Sequence, residues 1–146
     1  MQIINGLGGA FIFSNDPKRL AEWYATCLGF EFESDDSGGM FWQVFWALNP
    51  GDPTRKYDTT FAIMQATTPI SLALPIAEPE SMYGDQHYML NLRTHDLQAL
   101  IQLLESKGVT VIRQEEMVYG KFAWIRDLDG NRLELYQPSP ISESPP

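Results

Sequence analysis

The sequence predicts an α+β fold in which one βαβββ module occurs twice. Two segments have the periodicity of amphipathic helices, and their capping residues, Asp16 and Asp96, are 80 positions apart. One short apolar strand precedes each helix and three strand-like stretches follow it, so the order of elements repeats along the chain. A length of 146 residues suits a single domain, residues 1–146, that contains both copies, since domains usually have about 100–150 residues.

The two helices are delimited by residues that commonly begin and end helices. Asp16 is a favourable N-cap, Pro17 suits the first helical position, and Gly29 ends the helix. The second helix begins after Asp96 and ends before Gly108. Apolar residues at helical spacing give each helix one face for packing: Leu20, Trp23, Tyr24, Cys27 and Leu28 in the first, and Leu97, Leu100, Ile101 and Leu104 in the second.

Short apolar stretches between turn residues predict the strands. In the first module, about residues 7–65, they are Gly9–Phe13, Phe30–Glu33, Met40–Leu48 and Thr59–Gln65. In the second module, about residues 87–138, they are Met89–Arg93, Val109–Gln114, Val118–Ile125 and Arg132–Gln137. We interpret residues 66–86 as an irregular linker and the proline-rich tail 139–146 as disordered.

Charge and composition exclude several classes of partner. Nineteen acidic and ten basic residues give a net charge of −9, which disfavours binding to nucleic acid or to an anionic membrane surface. The longest strongly apolar stretch, Met40–Leu48, is far shorter than the roughly 20 residues of a membrane helix. The single cysteine, Cys27, permits no intrachain disulfide, and we expect a cytoplasmic protein in which Cys27 is a core residue.

Three segments resemble the vicinal oxygen chelate superfamily, which includes glyoxalases, bleomycin-resistance proteins and extradiol dioxygenases. They are NDPKRLAEWYATCLGF (residues 15–30), HDLQALIQLLESKGV (95–109) and DLDGNRLELYQP (127–138). The resemblance extends over residues 7–138. It implies a half-open barrel with its helices outside and a ligand cleft inside, and it implies a homodimer, which would also cover exposed edge strands.

The resemblance also implies where a divalent metal ion would be bound. Enzymes of the superfamily hold it with His, Gln or Glu from four strands, and the matching positions here are Gly9, Met89, Ala62 and Glu134. Only Glu134 has a side chain suited to that role, whereas catalytic metal sites use about three protein ligands. We therefore expect no cofactor. A displaced metal site that combines Glu134 with His87 is the alternative.

Strand alternation indicates which side chains face the cleft. In the last strand it places Glu134 and Tyr136 opposite the helix side. The strand Met40–Leu48 is apolar on both faces, and we interpret the face with the lone polar residue Gln43 as the ligand side. The predicted ligand-binding residues are Phe11, Phe41, Gln43, Phe45, Met89, Asn91, Arg93, Phe122, Trp124 and Tyr136.

Two features of this prediction leave alternatives open. Arg93 either points inward, where it pairs with Glu134 or binds an anionic ligand group, or lies in solvent at the end of its strand. Each aromatic ring is either a ligand contact or ordinary core packing. Together the residues favour a protein that binds a small organic molecule in an aromatic-rich, metal-free cleft. The alternatives are a lyase, isomerase or dioxygenase that uses Glu134 as general acid or base or with a displaced metal, and an interaction module.

Overall fold

Each half of the chain folds into its own four-stranded sheet with one helix. A computed structural model describes residues 3–71, 82–83 and 86–140, and the chain divides into a first unit, Met1–Ser71, and a second unit, Leu72–Pro146. Each unit is one βαβββ module, so the predicted α+β fold class is confirmed. Most of the predicted linker and of the predicted tail lies outside the described residues.

The first unit has the sheet order β1-β4-β3-β2. Strands β1 and β4 are parallel and the other neighbours are antiparallel. Its elements are β1 (Gly9–Ser14), α1 (Pro17–Leu28), β2 (Glu33–Ser34), β3 (Met40–Asn49) and β4 (Asp52–Gln65).

The second unit repeats this topology with the sheet order β5-β8-β7-β6. Here β5 and β8 are the parallel pair. Its elements are β5 (Leu90–Arg93), α2 (Leu97–Ser106), β6 (Arg113–Met117), β7 (Gly120–Arg126) and β8 (Arg132–Pro138).

The helices begin and end where their capping residues predict. The Asp16 carboxylate accepts a hydrogen bond from the Arg19 N–H (3.1 Å), and Gly29 caps the other end of α1 with a left-handed φ of 74°. In α2 the Asp96 carboxylate accepts from the Ala99 N–H (3.0 Å). Among the described residues, no helix has the length and apolar character that a bilayer crossing requires.

The strand boundaries differ from the prediction where the chain carries charged or turn residues. Strand β4 begins at Asp52 rather than at Thr59, because the segment 52–58 extends the β3–β4 hairpin into solvent, where polar residues are tolerated on both faces. Strand β6 begins at Arg113 rather than at Val109. Strand β7 begins at Gly120, because Val118 belongs to the turn after β6.

Each helix packs on one face of its own sheet. The Tyr24 ring of α1 lies 5.3 Å from the Phe61 ring of β4, measured between centroids, and Cys27 is a buried core residue as predicted. The Leu97 N–H at the start of α2 donates to Gln137 Oε1 of β8 (2.8 Å). The buried residues on the helix side of the second sheet are Ala123, Ile125, Leu133 and Leu135.

The strand register aligns the two modules residue by residue. In the parallel pairs, Phe11 lies beside Ala62 and Asn91 lies beside Glu134. Phe11 and Asn91 each precede their helix cap by five residues, so they are equivalent positions. Ala62 therefore occupies in the first unit the place that Glu134 occupies in the second, as the resemblance to the superfamily implies.

Candidate functional site

One sequence prediction about the first sheet is wrong, because β3 presents the opposite face from the one expected. Residues paired directly across a ladder share a face of the sheet, and Gln43 pairs with Phe61, which contacts α1. Phe41, Gln43 and Phe45 therefore lie on the helix side. The Gln43 Oε1 atom accepts a hydrogen bond from the Glu31 backbone N–H (2.8 Å), which is the partner that this lone polar group required.

The opposite side of the first sheet, which we call the free face, is lined by aromatic rings. Register places Phe11, Phe13, Trp42 and Trp46 on this face. Phe11 is 50% exposed, Phe13 53% and Trp46 64%, whereas Trp42 is half-buried. Rings with this much exposure do not act only as core, so the free face is a candidate surface for an apolar ligand.

The free face has no side chain that could bind a metal ion at the two positions that the resemblance implies. A Cβ atom on Gly9 would lie 2.5 Å from the Thr60 carbonyl oxygen, so the backbone leaves no room for any side chain there. The equivalent of Glu134 is Ala62, which has no heteroatom and is fully buried. The first unit therefore does not fit the metal.

In the second unit the sheet brings together several of the predicted site residues. Asn91, Trp124 and Glu134 are neighbours across three strands on the side opposite α2, and Phe122 and Tyr136 are paired on the same side. The Phe122 and Tyr136 rings stack at 5.0 Å between centroids.

The remaining predicted residues lie at the margins of this surface. Arg93 pairs in register with Tyr136 but is exposed, and His87 is also exposed. Met89 packs against a cluster formed by Met82, Phe122 and Trp124.

The Glu134 carboxylate accepts hydrogen bonds from three uncharged donors. Its Oε1 atom accepts from the Asn91 side-chain amide (2.7 Å). Its Oε2 atom accepts from the Tyr83 hydroxyl (2.7 Å) and from the Trp124 indole N–H (3.1 Å). Because Glu134 is only 8% exposed, these donors replace the solvent that a carboxylate would otherwise have.

Sequence reasoning missed the segment that covers this carboxylate. Met82 is buried against Phe122 and Trp124, and its carbonyl oxygen accepts from the Arg132 guanidinium (3.3 Å). The Tyr83 ring stands perpendicular to the Trp124 ring at 6.1 Å. Both residues lie in the stretch interpreted as a linker, where no periodicity marks a contact. The only signal was a Met-Tyr pair among prolines and small residues.

These contacts also decide whether the second unit fits the implied metal. Both Glu134 oxygens are occupied by N–H or O–H donors, and the position equivalent to Gly9 is Met89, a thioether that suits Mg²⁺ or Mn²⁺ poorly. Within residues 3–71, 82–83 and 86–140, no three His, Cys, Asp or Glu side chains form a group that could hold a metal ion. The second unit therefore does not fit the metal, and the contacts do not favour Glu134 as a general acid or base.

The sequence matches a family model over most of its length. The model of the glyoxalase/bleomycin resistance protein/dioxygenase superfamily matches residues 6–135. No match is found among the curated proteins.

Solved structures share the fold at low sequence identity. TnmS3, an antibiotic binding protein from Streptomyces sp. CB03234, is 23% identical with a TM-score of 0.59, and the match covers 95% of this chain and 100% of that one. TioX from Micromonospora sp. ML1 is 11% identical with a TM-score of 0.62, over 92% and 100%. A mutant of the fosfomycin resistance protein FosX from Listeria monocytogenes, complexed with Mn(II) and dihydroxypropylphosphonic acid, is 13% identical with a TM-score of 0.59, over 94% and 93%.

Because of the Tyr83–Glu134 hydrogen bond, we expect the stability of the protein to fall at alkaline pH. Burial of the hydroxyl, followed by its hydrogen bond to the Glu134 carboxylate, raises the pKa of Tyr83 from 10.0 to about 12. The stabilising contribution is complete below pH 10 and is lost as the pH rises through about 12, because only the neutral hydroxyl donates to Glu134. The phenolate absorbance of the native protein minus that of Tyr83→Phe should titrate near pH 12. A difference that titrates near the ordinary value of 10 would contradict this hydrogen bond.

Proposed function

Since the chain belongs to the glyoxalase/bleomycin resistance protein/dioxygenase superfamily, we propose that it binds a planar, largely apolar organic molecule without a metal ion. The binding surface is the free face of the first sheet. The observation that carries the proposal is the exposure of three aromatic residues on that face. Phe11, Phe13 and Trp46 are each at least 50% exposed.

The free face has the physical properties that a planar ligand requires. Aromatic side chains bury large apolar areas and stack with other rings in preferred geometries. Gly9 and Ala62 add little bulk to this face, and Ala62 is fully buried, so the aromatic rings themselves form its accessible surface. A flat molecule would contact these rings over its whole area and would bury surface that is otherwise in water.

Two of the structural relatives suggest the kind of molecule. TnmS3 is an antibiotic binding protein, whereas FosX is a fosfomycin resistance protein whose structure holds Mn(II). This chain has only Glu134 at the four metal positions, and Glu134 is already hydrogen-bonded to Asn91, Tyr83 and Trp124, which favours the binding-protein role. We propose aromatic, antibiotic-like compounds as the ligand class.

We further propose that the protein is a cytoplasmic homodimer. Within residues 3–71, strand β1 pairs with β4 only from Thr60 onward, and β2 pairs with β3 only at Phe41 and Trp42, so the outer part of the β3–β4 hairpin has two edges without a strand partner. Leu48 is exposed on this hairpin, and such edges commonly pair with another chain. Light scattering should give twice the 16.6 kDa chain mass, and a mass of one chain would refute the dimer.

The binding surface is tested by two phenylalanine variants with similar exposure on opposite faces of one sheet. Phe11 on the free face is 50% exposed, and Phe45 on the helix side is 46% exposed. Phe11→Ala should weaken the binding of Nile red, a planar apolar dye, about tenfold, because one ring contact is lost. Phe45→Ala should change it less than about twofold.

Quenching of the tryptophan fluorescence, to which Trp42 and Trp46 on the free face contribute, measures the affinity of the dye, and circular dichroism confirms that both variants are folded. Equal weakening by the two substitutions, or no saturable binding by the native protein, would refute a ligand site on the free face.

A further inference from the structure

We infer that Asn91, Trp124 and Glu134 form a receptor for a phenolic hydroxyl group, that Tyr83 is its resident occupant, and that the second unit takes a phenol in place of Tyr83. The inference deepens the proposed function, on which it rests for the view that the chain binds aromatic molecules. It concerns a second site, on the sheet of the second unit.

The orientation of the Glu134 carboxylate is fixed by its own sheet. The Asn91 amide holds Oε1 and the Trp124 indole holds Oε2, both from strands of the same sheet as Glu134. The carboxylate is therefore fixed by two donors that belong to the sheet. The third donor, the Tyr83 hydroxyl, comes from outside the strands. The position of Tyr83 is the one at which a different molecule can replace the chain's own group.

Tyr83 is easier to displace than the residues that surround it. Tyr83 is 58% exposed, so it buries a smaller share of its surface than Trp124 or Phe122, and its departure costs correspondingly less of the hydrophobic free energy. By contrast, Trp124 is fully buried and Phe122 nearly so, and Met82 is packed against both. Trp124, Phe122 and Met82 are thus much more deeply buried than Tyr83.

The carboxylate and the neighbouring indole ring determine the chemical class of the ligand. A buried carboxylate with two donors in place accepts a further hydrogen bond and repels an anion. The edge-to-face contact between the Tyr83 and Trp124 rings, with an interplanar angle of 90°, adds a preference for an aromatic ring beside the hydroxyl. A hydroxyl group attached directly to an aromatic ring supplies both features, whereas an aliphatic alcohol supplies only one.

The experiment removes the occupant and supplies its side chain as a free molecule. Tyr83→Ala is titrated calorimetrically with p-cresol, which is the tyrosine side chain, and with toluene, which lacks the hydroxyl. We expect p-cresol to bind this variant about tenfold more tightly than toluene, because a hydrogen bond to a charged acceptor is lost with toluene. The native protein should bind p-cresol at least about tenfold more weakly than the variant, because Tyr83 must first leave.

The double variant Tyr83→Ala/Glu134→Leu is the matched control for the carboxylate, because leucine has a similar size and no acceptor oxygen. It should lose the preference for p-cresol over toluene. Equal affinities of Tyr83→Ala for the two probes, or a preference that survives in the double variant, would overturn the inference.

A second variant keeps the inference testable should Tyr83→Ala fail to fold. Tyr83→Phe retains the ring and removes only the hydroxyl, so we expect its unfolding equilibrium constant to rise about tenfold in a urea titration. A Tyr83→Phe protein as stable as the native one would overturn the receptor. Failure of the proposed function has a different signature, since loss of dye binding at Phe11 leaves the p-cresol titrations unchanged.

Discussion

The structure of the second unit depends on one buried carboxylate and its need for hydrogen-bond donors. Glu134 is almost entirely removed from solvent, and a carboxylate in that position is stable only when it is paired or hydrogen-bonded. Three uncharged groups meet the need: an amide from β5, an indole from β7 and a hydroxyl from Tyr83. Next to Tyr83, Met82 packs in the Phe122–Trp124 cluster, and its carbonyl oxygen accepts a hydrogen bond from the Arg132 guanidinium. The position that the superfamily uses for a metal ligand thus organises side-chain packing here.

The two modules have the same topology but different surfaces. At the position of Glu134 the first unit has Ala62, and no carboxylate there requires a covering donor. Its sheet face accordingly carries rings that remain half exposed, while the equivalent face of the second unit is covered by Met82 and Tyr83. A single difference in residue type at one register position therefore accompanies the contrast between the two faces. The proposed functions follow this contrast, with an open aromatic surface in one unit and an occupied phenol receptor in the other.

The sequence predicted the modules well because local rules determine them. Helix caps, apolar periodicity and strand order were sufficient for both helices, and the resemblance to the superfamily aligned Ala62 with Glu134. The face of β3 was not predictable by alternation, because that strand is apolar on both sides, and Gln43 found its partner in a local backbone group, the Glu31 N–H. Tyr83 was missed because its contact spans 51 residues from an irregular segment, and no spacing rule reports such a contact. The sequence thus predicts the secondary structure, but it does not predict which groups donate hydrogen bonds to the buried carboxylate of Glu134.

The most direct test of this account is a measurement of Mn²⁺ binding by electron paramagnetic resonance on protein purified without chelator or metal-binding tag. Hydrogen bonds from Asn91, Tyr83 and Trp124 occupy both oxygens of Glu134. The account predicts that the free Mn²⁺ signal at every concentration is the same for the native protein and for Glu134→Leu, which has no metal ligand at this position. Binding of about one ion per chain by the native protein, abolished in Glu134→Leu, would contradict it and would restore a metal-dependent role for this residue.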